Sequence, residues 1–149
     1  MTATLSQPTT TTTTTPAAAR PSAQTRALAA TRVVVSFLFV CHGLQGLFGA
    51  FGGVDGQGTA VPFGVWPYWW VGVIHVVAGG LVGIGLCTRT AALLCSGAMA
   101  YGYFVVHQPT GLLPLTNGGE PAALYSWIFL LIAVAGPGAY ALDRLRKRG

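Results

Sequence analysis

The sequence predicts an all-α fold: a four-transmembrane-helix bundle with both termini cytoplasmic and a disordered N-terminal tail. Three observations predict it. Apolar residues make up 52% of the chain and charged residues only 7%, against about 25% charged residues in an average soluble domain, so charge is too sparse to cover a water-facing surface. The apolar residues gather in four stretches separated by glycine- and proline-rich segments. All eight Lys and Arg residues fall on one side of those stretches. Arg20, Arg26 and Arg32 precede the first, Arg89 lies between the second and third, and Arg144, Arg146, Lys147 and Arg148 follow the fourth. The other two connections carry only Asp55 and Glu120 as charged residues. Basic residues stay cytoplasmic while outer loops lack them, so the pattern gives orientation as well as class. It also accounts for a pI near 9.6. The basic residues cluster at span ends and are not interleaved with aromatics, so no nucleic-acid partner is expected.

Residues 1–26 read as a disordered, Thr/Pro/Ala-rich cytoplasmic tail. Thr9 to Thr15 is an unbroken run with Pro8, Pro16 and Pro21 around it, and such a segment has almost nothing to bury. Residues 27–149 form the membrane domain. Its first span is about Val33 to Phe51, and about 19 helical residues cover about 28 Å, close to the hydrocarbon thickness. Basic residues before an apolar run also suit a signal peptide. However, the small-x-small cleavage pattern is poor here, and the bulky Phe39 and Val40 before Cys41 do not suit a lipoprotein cysteine.

Residues 52–65 form a glycine-rich outer loop. Trp66-Pro67-Tyr68-Trp69-Trp70 is an aromatic cluster suited to the headgroup boundary, and it opens a second span running to about Leu86. Cys87 to Thr90 form a tight inner turn. The third span runs from about Ala91 to Val106. His107 to Glu120 is an outer segment with turn signals at Asn117-Gly118-Gly119. The fourth span runs from Pro121, tolerated in a first helical turn, to Ala135 or on to Leu142, with Gly136-Pro137-Gly138 breaking or kinking its inner end. Gly79 and Gly83 form a G-x-x-x-G, and Gly43, Gly46 and Gly49 recur every third residue, so spans one and two are expected to approach closely. Cys41, Cys87 and Cys95 form no C-x-x-C and no outer pair, which disfavours disulfide exchange.

Polar residues inside the spans are the candidate functional groups. His42 lies ten residues beyond Arg32, and His75 lies nine beyond Trp66 on a helix running the other way, so both fall near the bilayer midplane. Gln45 follows His42 by three residues on the same helical face. His42, Gln45 and His75 are therefore a candidate polar centre. It suits a quinone head group, a proton relay or a metal, or it is a packing contact in which histidine bonds across helices. Two opposed histidines also satisfy the ligand count of a b-type haem, but haem sites bring more room and propionate partners. No acidic or thiolate cluster converges there, so no metal is expected. His107 and Glu120, at the outer ends of spans three and four, are a candidate outer-mouth pair, with a helix-capping or interfacial role for Glu120 as the alternative.

Three segments resemble the DoxX family of integral membrane proteins: FLFVCHGLQGLFGAFGG in span one, GGLVGIGLCTRTAALL across the inner turn, and NGGEPAALYSWIFLLIAVAGPGAYALD through span four. They stand in the family's order, and the resemblance extends over nearly everything from Arg32 to Asp143. The resemblance implies a four-helix bundle in a bacterial plasma membrane. It also implies work beside redox proteins, because members include a subunit of a thiosulfate–quinone oxidoreductase and a partner in a membrane-associated oxidoreductase complex. His42-Gly43 and Gly118-Gly119-Glu120 match family positions. Gly46 stands where relatives often carry a basic residue, and His75 where they often carry a glutamate.

Two functions follow as expectations. One is a redox-linked membrane subunit with quinone or proton handling at the midplane histidines. The other is a non-catalytic anchor or assembly partner for a redox protein, with Arg144 to Arg148 holding anionic lipid or that partner. A small-solute permease would need oligomers, since four short spans make a poor pore. No nucleophile–base pair or cofactor fingerprint is visible, so the sequence leaves open whether the chain is an enzyme by itself.

Overall fold

The computed structural model describes residues 20–146. The threonine run, and Lys147 and Arg148, lie outside the described residues. All regular structure within them is helical: α1 (Ala23–Phe48), α2 (Tyr68–Ile84), α3 (Thr88–Gly102), α4 (Pro114–Asn117), α5 (Glu120–Ala135) and α6 (Leu142–Arg146).

The helix boundaries follow from caps. Ser22 is extended, and its side chain accepts from the Thr25 N–H at 3.3 Å, satisfying one of the donors that a helix start leaves free. The helix therefore begins at Ala23, inside the expected 1–26 tail. Pro21 ends the low-complexity run, and the alanine-rich stretch after it is a good helix former. At the other end Gly49 adopts φ 67° and its N–H bonds the Gln45 carbonyl at 3.0 Å, a left-handed cap that suits glycine. The α-helix thus stops at Phe48 rather than Phe51, and Ala50–Gly52 is a 3-10 turn. Gly85, at φ 78°, closes α2 in the same way.

α3 starts at Thr88 rather than Ala91 and runs on past Val106. A π turn over Tyr103–His107 and a 3-10 turn over Gln108–Thr110 carry it to 23 residues. The irregular turns come where Pro109 removes a backbone donor. α4, a single turn opening on Pro114, was not expected in a segment read as turns. α5 begins at Glu120 with Pro121 in its first turn and ends at Ala135, where Gly136 takes φ 91°.

α1 packs along α2, α2 against α3, and α3 against α5, while α1 and α5 meet sparsely. Phe39, Val82, Ala92, Cys95, Phe129 and Ile132 form the buried centre. Glycines bring α1 and α2 together, because small residues let backbones approach. A Cβ on Gly43 would stand 2.7 Å from that of His75, one on Gly79 would stand 3.0 Å from the Phe39 ring, and one on Gly83 would stand 3.3 Å from Ser36. Gly46 has open space around it, and its carbonyl accepts the Val61 N–H of the following loop at 2.7 Å.

Two helices are long and apolar enough to cross a membrane: Ala23–Phe48, with mean hydropathy 1.8, and Thr88–Thr110, with 1.2. α2 and α5 are shorter apolar helices. Less than a third of either long span is buried. Instead the helices turn large apolar side chains outward, among them Phe37, Leu38, Leu93, Leu94, Trp127 and Leu131. Contiguous apolar exposure on this scale marks a membrane or partner surface.

The start of α1, the α2–α3 turn and α6 lie at one end of the bundle and are tied there by charge. Arg32 is only 2% exposed. Its Nη1 donates to the Val82 and Gly83 carbonyls, both at 2.8 Å, and so sets a positive charge against the carbonyl end of α2. Asp143 does the converse for α3. Its carboxylate accepts from the Cys87 and Thr88 N–H groups at 2.8 and 2.9 Å and from the Thr88 hydroxyl at 2.7 Å. Arg32 and Asp143 also attract one another electrostatically. Backbone bonds from Ala139 to Thr25 and from Asp143 to Gly85 complete the closure.

Candidate functional site: two histidines at mid-height

The glycine contact between α1 and α2 sets the level of the site. Gly43 lies against the Cβ of His75 and 3.0 Å, measured from an added Cβ, from the Gly72 carbonyl. His42, the neighbour of Gly43, therefore stands at the same height as His75. The two imidazoles are within electrostatic reach of each other.

They have different surroundings. His75 faces into the bundle, its ring 4.0 Å from that of Phe39, and its Nε2 is buried with no hydrogen-bond partner. His42 is exposed at the sparse seam between α1 and α5, with its ring 5.8 Å from Tyr125 in an edge-on arrangement. His42 Nδ1 lies 2.9 Å from the Leu38 carbonyl. A carbonyl only accepts, so Nδ1 carries the hydrogen in that bond and Nε2 is the acceptor nitrogen of the neutral ring. Phe39 joins the two sides, packing also on Tyr125 and Phe129 at 5.3 and 4.6 Å.

Gln45 does not join this centre. Its Nε2 donates to the Gly53 carbonyl at 2.8 Å, tying the loop that folds back over the end of α1. The loop is further held by Asp55, which accepts from the Gln57 and Thr59 N–H groups. These contacts, with the Thr59 side chain foremost, hold the Asp55 carboxyl below its ordinary range. His107 and Glu120 do come to the same end of the bundle, since His107 packs against Gly119. They form no ion pair. His107 Nδ1 donates to the Asn117 carbonyl at 3.1 Å, Asn117 in turn binds Gly111 and Gly119, and Glu120 opens α5 exposed to the outside. The segment between α3 and α5 is thus locked by His107 and Asn117 rather than by a His–Glu pair.

Sequence reasoning missed Phe39, Tyr125 and the Arg32–Asp143 closure. An aromatic in an apolar span carries no signal of its own. Tyr125 offered a faint one, as a hydroxyl-bearing ring well inside span four. Among the described residues, no three His, Cys, Asp or Glu side chains gather as a metal-ligand set.

Comparison with known proteins bears on what such a site serves. The DoxX family profile matches residues 27–108, more than half of the chain. An uncharacterized protein of Haemophilus influenzae is 40% identical over 123 residues, spanning 78% of this chain and 87% of that protein. No solved structure matches. The family is membrane-associated, in keeping with the apolar outer surface of the helices. With the profile matching more than half of its length, the chain belongs to the DoxX family.

Proposed function

We propose that this is a four-span membrane subunit, with both ends on the cytoplasmic side, that works within a redox complex and handles protons or a quinone head group at His42 and His75. The observation that carries the reading is the buried, unpartnered Nε2 of His75. An orphaned polar atom in such a setting costs about 1–3 kcal/mol, and in lipid there is no water at hand to satisfy it. A ligand oxygen is the simplest group to complete it. The thin seam between α1 and α5, flanked by His42 and Tyr125, supplies a lateral approach from the lipid.

These residues fit a quinone. Its carbonyl oxygens accept hydrogen bonds, and its reduced form bears hydroxyls that donate them. His75 Nε2 holds one oxygen in the bundle interior, donating to a carbonyl or accepting from a hydroxyl according to its tautomer. His42 Nε2 lies on the exposed side, where it accepts a hydrogen bond from a hydroxyl of the reduced head group. Phe39 and Tyr125 pack against the two imidazoles at tilted and edge-on angles and give the site apolar walls. The one-sided basic residues support the topology.

The second reading is a non-catalytic anchor for a soluble partner, favoured by the exposed basic groups at the Arg89 and Arg144 end. Photolabelling with an azidoquinone separates the two. We expect labelling of α1 or α5 near His42 and Tyr125, lost in His75→Ala at equal amounts of folded protein. Absence of labelling in the complex purified with its native subunits leaves only the anchor.

A further inference from the structure

At the end of the bundle closed by Arg32 and Asp143, a cleft of about 350 Å³ opens between Thr25 and Leu28 of α1, Arg89 of α3, Ala135 of α5, and Pro137 and Arg144. Two guanidinium groups line it. Arg89 is seated there. Its Nη1 donates to the Ala133 carbonyl at 3.2 Å, and the rest of its fork lies over Gly136, where an added Cβ would come within 3.1 Å of Nη2. Only Nη1 is engaged in that bond, so most of the donors of its planar fork are left for a ligand that offers two or more oxygens, as a phosphate does. Arg144 is exposed across the cleft.

Asp143 also lines the cleft, but its charge is already met. Two α3 N–H groups and the Thr88 hydroxyl bind it, and buried Arg32 stands behind it. The net field in the cleft is therefore that of Arg89 and Arg144, which favours an anion.

The apolar side of the cleft says which anion. Ala135 is the last residue of an exposed strip on α5 that runs through Leu131, Trp127 and Leu124 at helical spacing. A phosphate between the two arginines would leave an attached acyl chain lying along that strip. Basic clefts between helices at the cytoplasmic boundary are recurrent anionic headgroup sites. We infer that this cleft binds the phosphate of an anionic phospholipid, with an acyl chain laid along the Leu124–Ala135 face of α5. Assigning the lipid to the inner leaflet rests on the topology proposed above. The binding itself is independent of any redox role.

Native mass spectrometry and thermal unfolding of the whole chain in neutral detergent test it, with dioleoylphosphatidylglycerol, dioleoylphosphatidylcholine and inorganic phosphate as probes. The phosphatidylglycerol should remain bound through detergent stripping and raise the melting temperature, while the other two do neither. Arg144→Gln should weaken its binding about fivefold, and Arg89→Gln with Arg144→Gln about 25-fold, at about 1 kcal/mol per arginine. Arg144→Gln alone decides the matter if the double variant fails to fold, because the Arg144 side chain is exposed. Equal retention of the two lipids, equal stabilisation by free phosphate, or unchanged phosphatidylglycerol binding by Arg144→Gln would each overturn the inference.

Discussion

Replacing Arg32 with alanine tests how the end of the bundle that joins α1, α2, α3 and α6 is held. Arg32 is buried to 2% exposure and gives two 2.8 Å charge-assisted bonds to the last carbonyls of α2. Its charge also faces Asp143, which caps α3. Bonds to charged groups contribute about 1.5–3 kcal/mol each. Asp143 is only partly buried and keeps its three bonds to Cys87 and Thr88, so the two carbonyl bonds set the scale. Arg32→Ala should therefore lose about 3–5 kcal/mol, which at roughly 3 °C per kcal/mol for a chain of this size is a fall of about 10 °C in melting temperature. Arg32→Lys should lose about half as much, since an ammonium keeps the charge but reaches one carbonyl less well. The assay is thermal unfolding of the detergent-solubilised protein by size-exclusion of a fluorescent fusion. A double-mutant cycle with Asp143→Asn should give a coupling of about 1 kcal/mol or more. If Arg32→Ala melts within about 2 °C of the parent, buried charge is not what holds these ends together.

Other changes probe other parts of the bundle. Gly43→Leu should disrupt folding, since even a Cβ there meets His75 and Val76 at 2.7 Å and overpacking costs about 1–3 kcal/mol or more. Normal accumulation and melting of that variant would mean α1 and α2 are not in contact at this level. Gln45→Ala should cost about 1 kcal/mol and speed hydrogen exchange in residues 53–61, and an unchanged exchange pattern would place the amide elsewhere. In a cysteine-free background, single cysteines at Gly56 and Thr116 should label from outside and one at Arg89 only from inside. Outside labelling at Arg89 would invert the proposed topology.

The sequence carried the helices and the height of the histidines, because both depend on local quantities. Apolar run length sets a span, and residue counts from Arg32 and Trp66 set depth. It misplaced contacts that depend on a fold-back. Gln45 follows His42 by three residues, which on a helix is about 300° of rotation, so the two share a face only loosely. The turn at Gly49 then brings Gly53 over the helix end to take the amide. Arg32 reads in sequence as one of several topology markers, and nothing local tells it from Arg26. Its burial comes from α2 and Asp143, far along the chain. The π turn at Tyr103–His107 and the one-turn α4 were hidden for a related reason: proline and glycine announce a break but not the geometry that replaces the helix.

Whether His42 and His75 serve redox chemistry is tested most directly by activity per folded complex. Membrane vesicles containing the protein with its native partner subunits are assayed for quinone reduction, comparing the parent with His42→Ala and His75→Ala at equal, quantified amounts of assembled complex. We predict that both variants assemble, since neither histidine makes a hydrogen bond to another helix, and that quinone reduction falls to background. Undiminished quinone reduction per assembled complex in both variants would contradict the assignment and leave the pair as packing.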